Sequence, residues 1–228
     1  HYELIKDINW YTRRGGNNSN IGRRVLESWT YLISVSTPHL AEEWGRCLNL
    51  PDLVSASVMN DLEPMLSSED NILDYEFVMR GVLENARKVK NIAERHLGGD
   101  AKKLTLIISP EWKNHLSREA LNYLSAGGNI KQFIQQLKQM DFVNDANIGE
   151  IIGFWNKRML SQVFKWDDKS KSLILSRIDE ELILSKRASF IAEELGLSEV
   201  EVIAAEDYQG DDGRQNSALP LSPSIVFA

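Results

Sequence analysis

Histidines beside carboxylates are the residues of this chain that could do acid–base chemistry. His39 lies three residues before the adjacent acids Glu42 and Glu43, so it could be taken for a general base. However, it directly follows Pro38, which suits the first turn of a helix, and no nucleophile pattern accompanies it. We therefore predict that His39 has a role in packing or in starting a helix, and that the chain contains no catalytic residue.

Metal binding and hydrolysis by paired carboxylates find little support in the residue spacing. The four histidines have no Cys, Asp or Glu at established metal-ligand spacings: His1, His39, His96 and His115. The acidic runs Glu42-Glu43 and Asp179-Glu180-Glu181 fall at predicted helix starts, where the helix dipole accounts for them. No glycine loop followed by Lys-Ser or Lys-Thr is present, which excludes a P-loop. We predict no metal site, and an independent hydrolase is the least supported alternative.

Basic residues near a flexible or aromatic position are better candidates, and the chemistry they suggest is nucleic-acid binding. Arg13 and Arg14 precede Gly15-Gly16, so delocalised charge adjoins a flexible backbone, which suits a phosphate or a splayed base. Trp10 and Tyr11 could stack beside them. Equally, both rings could be core residues and the arginines a solvated face.

Two further basic pairs are candidates for the same role. Arg23 and Arg24 are predicted at the start of a helix, where they could face an RNA backbone or form a surface salt bridge. Lys157 and Arg158 interrupt an otherwise apolar helix. Trp155 nearby is more often a core residue than a stacking platform.

A helical hairpin at residues 23–48 organises the first predicted domain. Five apolar residues at helical spacing form a stripe on its first helix: Val25, Leu26, Trp29, Leu32 and Ile33. This helix ends near Ser34, and a second one is predicted to begin with Thr37 as N-cap and Pro38 in the first turn. A later helix is predicted to begin at residues 67–70 and to end at Gly98-Gly99. Residues 1–98 therefore predict a helical bundle.

In residues 102–228 the spacing of the apolar residues changes, and the new pattern predicts a small α/β domain with about three strands. Residues 103–109 are a short apolar run rich in β-formers, residues 199–203 alternate with period two, and residues 224–228 suit a terminal strand or an extended segment. Helical patterns lie between them, the last over residues 179–195 and ended by Gly196, and residues 207–217 are expected to be a mobile loop. The predicted fold class is an all-α helical bundle followed by a small α/β (α+β) domain.

Charge and composition limit the kinds of partner that the chain can have. A net charge of −7 disfavours a generally basic nucleic-acid binder, yet residues 1–24 carry five basic against two acidic side chains. A local basic face is sufficient for phosphate contacts because charges more than about 8 Å apart are largely screened from each other at physiological salt. The single cysteine, Cys47, suggests a small buried hydrophobe in a reducing, cytoplasmic setting, and no apolar run has the length of a membrane span. The helical period already running at His1 leads us to expect a fragment of a longer chain.

The run Thr37-Pro38-His39-Leu40-Ala41-Glu42-Glu43-Trp44 resembles the anticodon-binding helical domain of class Ia aminoacyl-tRNA synthetases. By itself it does not separate the leucine, isoleucine and valine enzymes. The stretch Ala218-Leu219-Pro220-Leu221-Ser222-Pro223-Ser224-Ile225-Val226 resembles the C-terminal domain of archaeal-type leucyl-tRNA synthetases. Trp10-Tyr11, with Arg13-Arg14-Gly15, is similar to the same family.

This resemblance implies a parent enzyme that joins leucine to its tRNA with ATP and Mg in a catalytic domain. The His-Ile-Gly-His and Lys-Met-Ser-Lys-Ser signatures of that domain do not occur here. Lys169-Ser170-Lys171-Ser172 is a partial match that we interpret as a polar connector. We therefore expect an inactive fragment without a cofactor that binds and orients tRNA(Leu), with the remainder of the synthetase chain as its second partner and no membrane.

The resemblance also implies which residues lie at the tip of the long variable arm of tRNA(Leu). They are the last five: Ser224, Ile225, Val226, Phe227 and Ala228. The alternative for this segment is a closing edge strand, and both could hold because the last residues of a strand can protrude. Two alternatives for the whole chain stay open: a valyl or isoleucyl relative, which should lack the proline-rich segment, and a stand-alone RNA-binding or protein-interaction module.

Overall fold

The computed structural model describes residues 2–50, 54–56, 72–144 and 148–228. The chain divides into two compact units, His1–Glu69 and Asp70–Ala228. The described part of the first unit is helical, and the second contains helices and a three-stranded sheet, which confirms the predicted fold class. The domain boundary predicted at residues 98–102 lies within the second unit.

The first unit contains three α-helices among its described residues: α1 (Tyr2–Arg13), α2 (Ser19–Ser34) and α3 (Pro38–Leu48), followed by a 3-10 turn at Val54–Ala56. Helix α2 begins earlier than predicted because the side-chain oxygen of Asn18 accepts hydrogen bonds from the backbone N–H groups of Asn20 and Ile21. Arg23 and Arg24 consequently lie in the second turn of α2 and not at its start.

The hairpin of α2 and α3 forms as predicted, but its apolar stripe is only partly buried. Pro38 occupies the first turn of α3, Thr37 is at the N-cap position, and the rings of Trp29 and Trp44 meet edge to face at 5.5 Å. Leu32 of the stripe is 61% exposed. The prediction of a buried Cys47 is wrong: this residue is exposed because it lies to one side of the helix face that carries buried Ala41 and Gly45.

The sheet of the second unit is built around one central strand. Strand β1 (Lys103–Ile108) pairs in parallel with β2 (Glu199–Ala204) and antiparallel with β3 (Ser224–Phe227), giving the order β2-β1-β3. β1 has strands on both sides and accordingly holds fully buried residues such as Leu104 and Leu106. Residues 224–227 therefore form an edge strand.

The second unit also contains eight α-helices among its described residues. They are α4 (Ile72–Leu97), α5 (Glu111–Ser125), α6 (Ile130–Leu137), α7 (Ile148–Phe154), α8 (Leu160–Val163), α9 (Asp168–Leu175), α10 (Glu180–Ser185) and α11 (Ala188–Leu195). Helix α4 contacts α10, α11 and β3, and Lys90 donates a hydrogen bond to the carbonyl oxygen of Leu195. The predicted start of α4 at residues 67–70 lies outside the described residues.

Helices α5 to α9 enclose a core of their own around Trp155. This side chain is fully buried, as predicted, and its ring lies 4.6 Å from that of Phe133. Between α7 and α8 the chain forms a π-helical turn, Trp155–Met159. Because Trp155 and Met159 point into the core, the residues between them are exposed.

Three predictions for the second unit are corrected by the structure. Residues 169–172 lie within helix α9, where Asp167 caps the first turn, and not in a connector. The single helix predicted over residues 179–195 is divided at Lys186–Arg187 into α10 and α11. Residues 207–217, expected to be a mobile loop, include a 3-10 helix at Arg214–Ser217, in which the carbonyl oxygen of Asn216 accepts a hydrogen bond from the buried Lys113.

Candidate nucleic-acid interface

A cleft of about 360 Å³ on the second unit combines aromatic and basic side chains. The first turn of α5 supplies one wall, and α7 with the π-helical turn supplies the other. The lining residues are Trp112, Lys113, Gly149, Glu150, Gly153, Phe154, Lys157, Arg158 and Asn216. Three of these residues are basic and one is acidic, so the cleft is locally positive although the whole chain carries a net charge of −7.

Lys113 forms the inner end of this basic cleft. Its side chain is buried, and Nζ donates hydrogen bonds of 2.9 Å to the carbonyl oxygens of Asn216 and Ala218. The same ammonium lies 4.8 Å from the centre of the Phe154 ring and 5.6 Å from that of Trp112. Burial, with a smaller effect of the Arg158 guanidinium, lowers the pKa of Lys113 to about 8, so the group is still largely protonated at neutral pH.

We expect Lys113→Met to lower the free energy of unfolding by about 1–3 kcal/mol, because two buried carbonyl groups lose their donor. Urea unfolding followed by tryptophan fluorescence measures this change. Lys157→Met is the matched control, since Lys157 is exposed on the same cleft and its replacement should change stability by no more than about 0.5 kcal/mol. Equal stability of Lys113→Met and the wild type would show that Lys113 does not hold residues 216–218 in place.

Lys157 and Arg158 are the parts of the basic cleft that are open to a ligand. Both are exposed, and neither forms an ion pair with another residue that the structure describes. The π-helical turn places them side by side at the rim. On the α7 wall, Gly149 and Gly153 leave open space where other residues would place a side chain. A phosphate group could therefore approach both cations without breaking an existing contact.

The sequence indicated Lys157 and Arg158 as candidate RNA contacts, but it did not indicate Trp112, Lys113 or Phe154. Trp112 and Phe154 meet edge to face, with ring centres 5.2 Å apart. They are distant in the sequence, and only the packing of α5 against α7 brings them together. The adjacent pair Trp112-Lys113, directly after a strand and at a helix start, was the signal available in the sequence.

The candidates at the end of α1 have structural contacts. Trp10 is only 9% exposed, and the Arg13 guanidinium lies over its ring at 5.3 Å. The hydroxyl oxygen of Tyr11 accepts a hydrogen bond from the backbone N–H of Asn18, and its ring covers Gly16 so closely that a Cβ there would lie 2.5 Å away. These contacts favour the alternative in which both rings support the turn after α1. Arg13 is exposed and Arg14 half-buried, and each has further interactions.

The two candidate arginines of α2 differ from each other. Arg23 forms an ion pair of 2.7 Å with Glu27 and donates a 2.6 Å hydrogen bond to the carbonyl oxygen of Leu48, so it links α2 to the end of α3. Arg24 is exposed, and its guanidinium has no ion pair among the described residues. Arg23 thus corresponds to the salt-bridge alternative, while Arg24 is available to a ligand.

The segment Ser224–Ala228 is part of the sheet. The backbone of Ala228 exchanges hydrogen bonds with that of Lys103, at 3.0 and 2.9 Å, and Ile225 is 8% exposed. Val226 and Phe227 are half-buried, and Ala228 is exposed. Because backbone groups of an antiparallel pair alternate in direction, those of Ile225 and Phe227 point away from β1, towards the outer edge of the sheet. The segment therefore forms the closing edge strand, and this pairing is compatible with the contact that the resemblance implies.

Neither a metal centre nor a membrane span is found within the described ranges. These residues contain no group of three or more His, Cys, Asp or Glu side chains that could hold a metal ion. They also contain no helix that is both long and apolar enough to cross a membrane.

Comparison with known proteins identifies relatives along nearly the whole chain. The leucine--tRNA ligase of Methanococcus vannielii is 31% identical over 228 residues, which cover 99% of this chain and 21% of that protein. Leucine--tRNA ligase 1 of Saccharolobus solfataricus is 27% identical, again over 99% of this chain and 22% of the relative. The leucine--tRNA ligase of Methanocaldococcus jannaschii is 25% identical over 99% of this chain and 21% of its own length.

These matches confirm the resemblance to archaeal leucyl-tRNA synthetases that the residues indicated. The chain spans about a fifth of the length of the curated relatives it matches. No protein-family model matches the chain.

Proposed function

We propose that this chain is the part of an archaeal-type leucine--tRNA ligase that binds and orients tRNA(Leu), including its long variable arm. Similarity to such ligases over 99% of the chain is the main support for this proposal and favours the leucine enzyme over valyl or isoleucyl relatives. The ligation of leucine to tRNA with ATP and Mg would belong to the remainder of the enzyme. In agreement with this division of roles, the catalytic signatures of the family are missing from the sequence, and we propose that the fragment is inactive by itself and acts in the cytoplasm.

The basic cleft around Lys157 and Arg158 is the observation that best fits RNA binding. Two exposed cations at its rim supply charge for phosphate groups, which dominate the affinity of proteins for nucleic acids. Trp112 and Phe154 add aromatic surface of the kind against which unpaired bases stack. Arg24 on the first unit, together with Arg13 and Arg14 of the same unit, is a further candidate for phosphate contacts.

We propose that the edge strand β3 recognises the tip of the variable arm. The outward backbone groups of Ile225 and Phe227 supply hydrogen-bond donors and acceptors that could meet exposed base edges. Recognition of this kind depends on the position of the strand more than on its side chains. The five residues proposed from the family resemblance, Ser224 to Ala228, therefore remain the proposed contact.

Binding of the 228-residue chain to fluorescently labelled tRNA(Leu), with and without the long variable arm, tests this function. We expect removal of the arm to weaken binding at least about tenfold and to reduce the slope of log K against log salt, by about 0.7–0.9 for each phosphate group that the protein no longer neutralises. Equal affinity for both RNAs would refute recognition of the arm. Absence of binding to either RNA at low salt would refute the tRNA-binding function of the isolated chain.

A further inference from the structure

A second cavity, separate from the basic cleft in its charge and composition, lies where the two parallel strands of the sheet end. Its volume is about 470 Å³, and the last residues of β1 and β2, Ile108 and Ala204, line it together with residues of α5, α9 and α10. Ligand sites in parallel sheets form preferentially outside the carboxyl ends of the strands. The cavity therefore occupies a place where sheets of this kind bind ligands.

Two buried oxygen atoms of this lining have no hydrogen-bond partner among the residues that the structure describes: Ser109 Oγ and Glu180 Oε1. The two side chains are 5% and 7% exposed. The other carboxylate oxygen of Glu180 accepts a 2.9 Å hydrogen bond from the backbone N–H of Leu221, which fixes the orientation of the group. Buried polar atoms almost always have a hydrogen-bond partner in folded proteins. Two unpaired oxygens on one cavity therefore indicate that it can bind a ligand that donates hydrogen bonds.

The charges around Glu180 indicate the kind of donor. The other charged side chains that line the cavity are Glu111 and Arg118 from α5, Arg177 and Asp179 before α10, Glu181 on α10, and Glu206 after β2. Arg118 already donates to Glu111 at 3.2 Å. With Glu180 ionised, five carboxylates face two guanidinium groups, so the cavity repels phosphate and attracts cations. Leu173, Ile174 and Ile178 provide an apolar wall.

We propose that this cavity binds an organic cation of the amine or guanidinium class, whose N–H groups donate to Glu180 Oε1 and Ser109 Oγ. The carbon chain of the ligand lies against the apolar wall. The cation is either a free small molecule or a lysine or arginine side chain of another polypeptide, since both offer the same head group. This inference does not depend on the proposed tRNA-binding function.

The protonation of Glu180 gives the proposal a pH signature. Burial raises the pKa of this carboxyl to about 7, against the opposing effect of the Leu221 N–H. A bound cation favours the ionised carboxylate, so binding releases a proton when it occurs below that pKa. Affinity should therefore rise as the pH rises through 7 and become constant above it.

Isothermal titration of the 228-residue chain with n-butylguanidinium, n-butylammonium and n-butanol tests the proposal. We expect saturable one-to-one binding of at least one of the two cations at pH 8, about tenfold weaker at pH 6, and no binding of butanol. An acetylated, amidated tripeptide Gly-Arg-Gly distinguishes the sources: tighter binding of the peptide than of butylguanidinium identifies a polypeptide ligand, and weaker binding a free cation. Saturable binding of guanosine with none of either cation would overturn the proposal in favour of a nucleobase.

Glu180→Gln is the decisive variant, and Glu181→Gln is its matched control. Glutamine retains an oxygen that can accept from Leu221 N–H, but it places a neutral amide donor towards the ligand. We expect this variant to lose at least about tenfold in affinity at pH 8, while Glu181→Gln, altered at an exposed lining carboxylate of the same helix, stays within about threefold. Far-ultraviolet circular dichroism confirms that both variants fold. Unchanged cation binding by folded Glu180→Gln would overturn the proposal.

Discussion

Removal of residues 225–228 is expected to lower the free energy of unfolding of the second unit by about 4 kcal/mol or more. These residues supply most of β3, which pairs with the central strand β1, and Ala228 adds backbone hydrogen bonds to Lys102 and Lys103. The deletion also exposes the surface that Ile225 covers, and burial of such a side chain contributes about 1.5–3 kcal/mol. Urea unfolding followed by tryptophan fluorescence measures the loss. An unchanged midpoint would contradict a structural role for β3.

This expected loss of stability means that a deletion cannot test recognition of RNA by the same segment. Ala228→Glu is the more informative variant because the side chain of Ala228 is exposed and its backbone pairing with Lys103 does not depend on residue type. Its stability should change by no more than about 0.5 kcal/mol. If the end of β3 lies against the variable arm, the added negative charge weakens binding of tRNA(Leu) but hardly affects the RNA without the arm. Equal effects on both RNAs would place the end of β3 away from the arm.

Charge reversal of both rim cations, Lys157→Glu with Arg158→Glu, is expected to weaken binding of tRNA(Leu) on the order of 100-fold at low salt. The change removes two positive charges from the basic cleft and adds two negative ones, while the core beneath, formed by Trp155 and Met159, is untouched. Fluorescence anisotropy over a series of salt concentrations measures the affinity. The milder Lys157→Ala with Arg158→Ala should reduce the slope of log K against log salt by about 1.4–1.8, the value for two phosphate groups that are no longer neutralised.

The matched control for this experiment is Lys138→Glu with Lys186→Glu. Both lysines are exposed on the second unit, and neither lines the basic cleft, so the pair produces the same change of net charge at other places. We expect it to weaken binding no more than about threefold through long-range electrostatics. If both double variants lose affinity equally, RNA binding depends on overall charge and the basic cleft is not the interface.

The local elements of this chain could be predicted because each is set by nearby residues. Gly98 and Gly196 end α4 and α11 with left-handed backbones, and the run at residues 103–108 forms the expected strand. Pro38 starts α3 for the same kind of local reason. A predicted helix boundary was wrong where a side chain makes a contact that the spacing of apolar residues does not predict. Asn18 caps α2, for example, so this helix begins before Arg23.

The candidate site could be predicted only in part. Lys157 and Arg158 were visible as charges interrupting an apolar helix, and the structure places them on the rim of the basic cleft. Their aromatic neighbours were not visible, since Trp112 and Phe154 become adjacent only when α5 packs against α7. In the same way, the hydrogen bond from Arg23 to the carbonyl oxygen of Leu48 joins residues far apart in the sequence and could not be predicted from it.

Residue types and their neighbours within a few positions were sufficient to predict the periodicity, the turns and the family resemblance. The packing of the folded chain was needed to show that residues 224–227 form an edge strand antiparallel to β1, and that Glu180 is buried with one carboxylate oxygen bonded to Leu221 and the other unpaired among the described residues. Strand order and burial depend on contacts between residues far apart in the chain. The free energy of those contacts depends on the packing of the folded chain, so a local sequence pattern does not predict it.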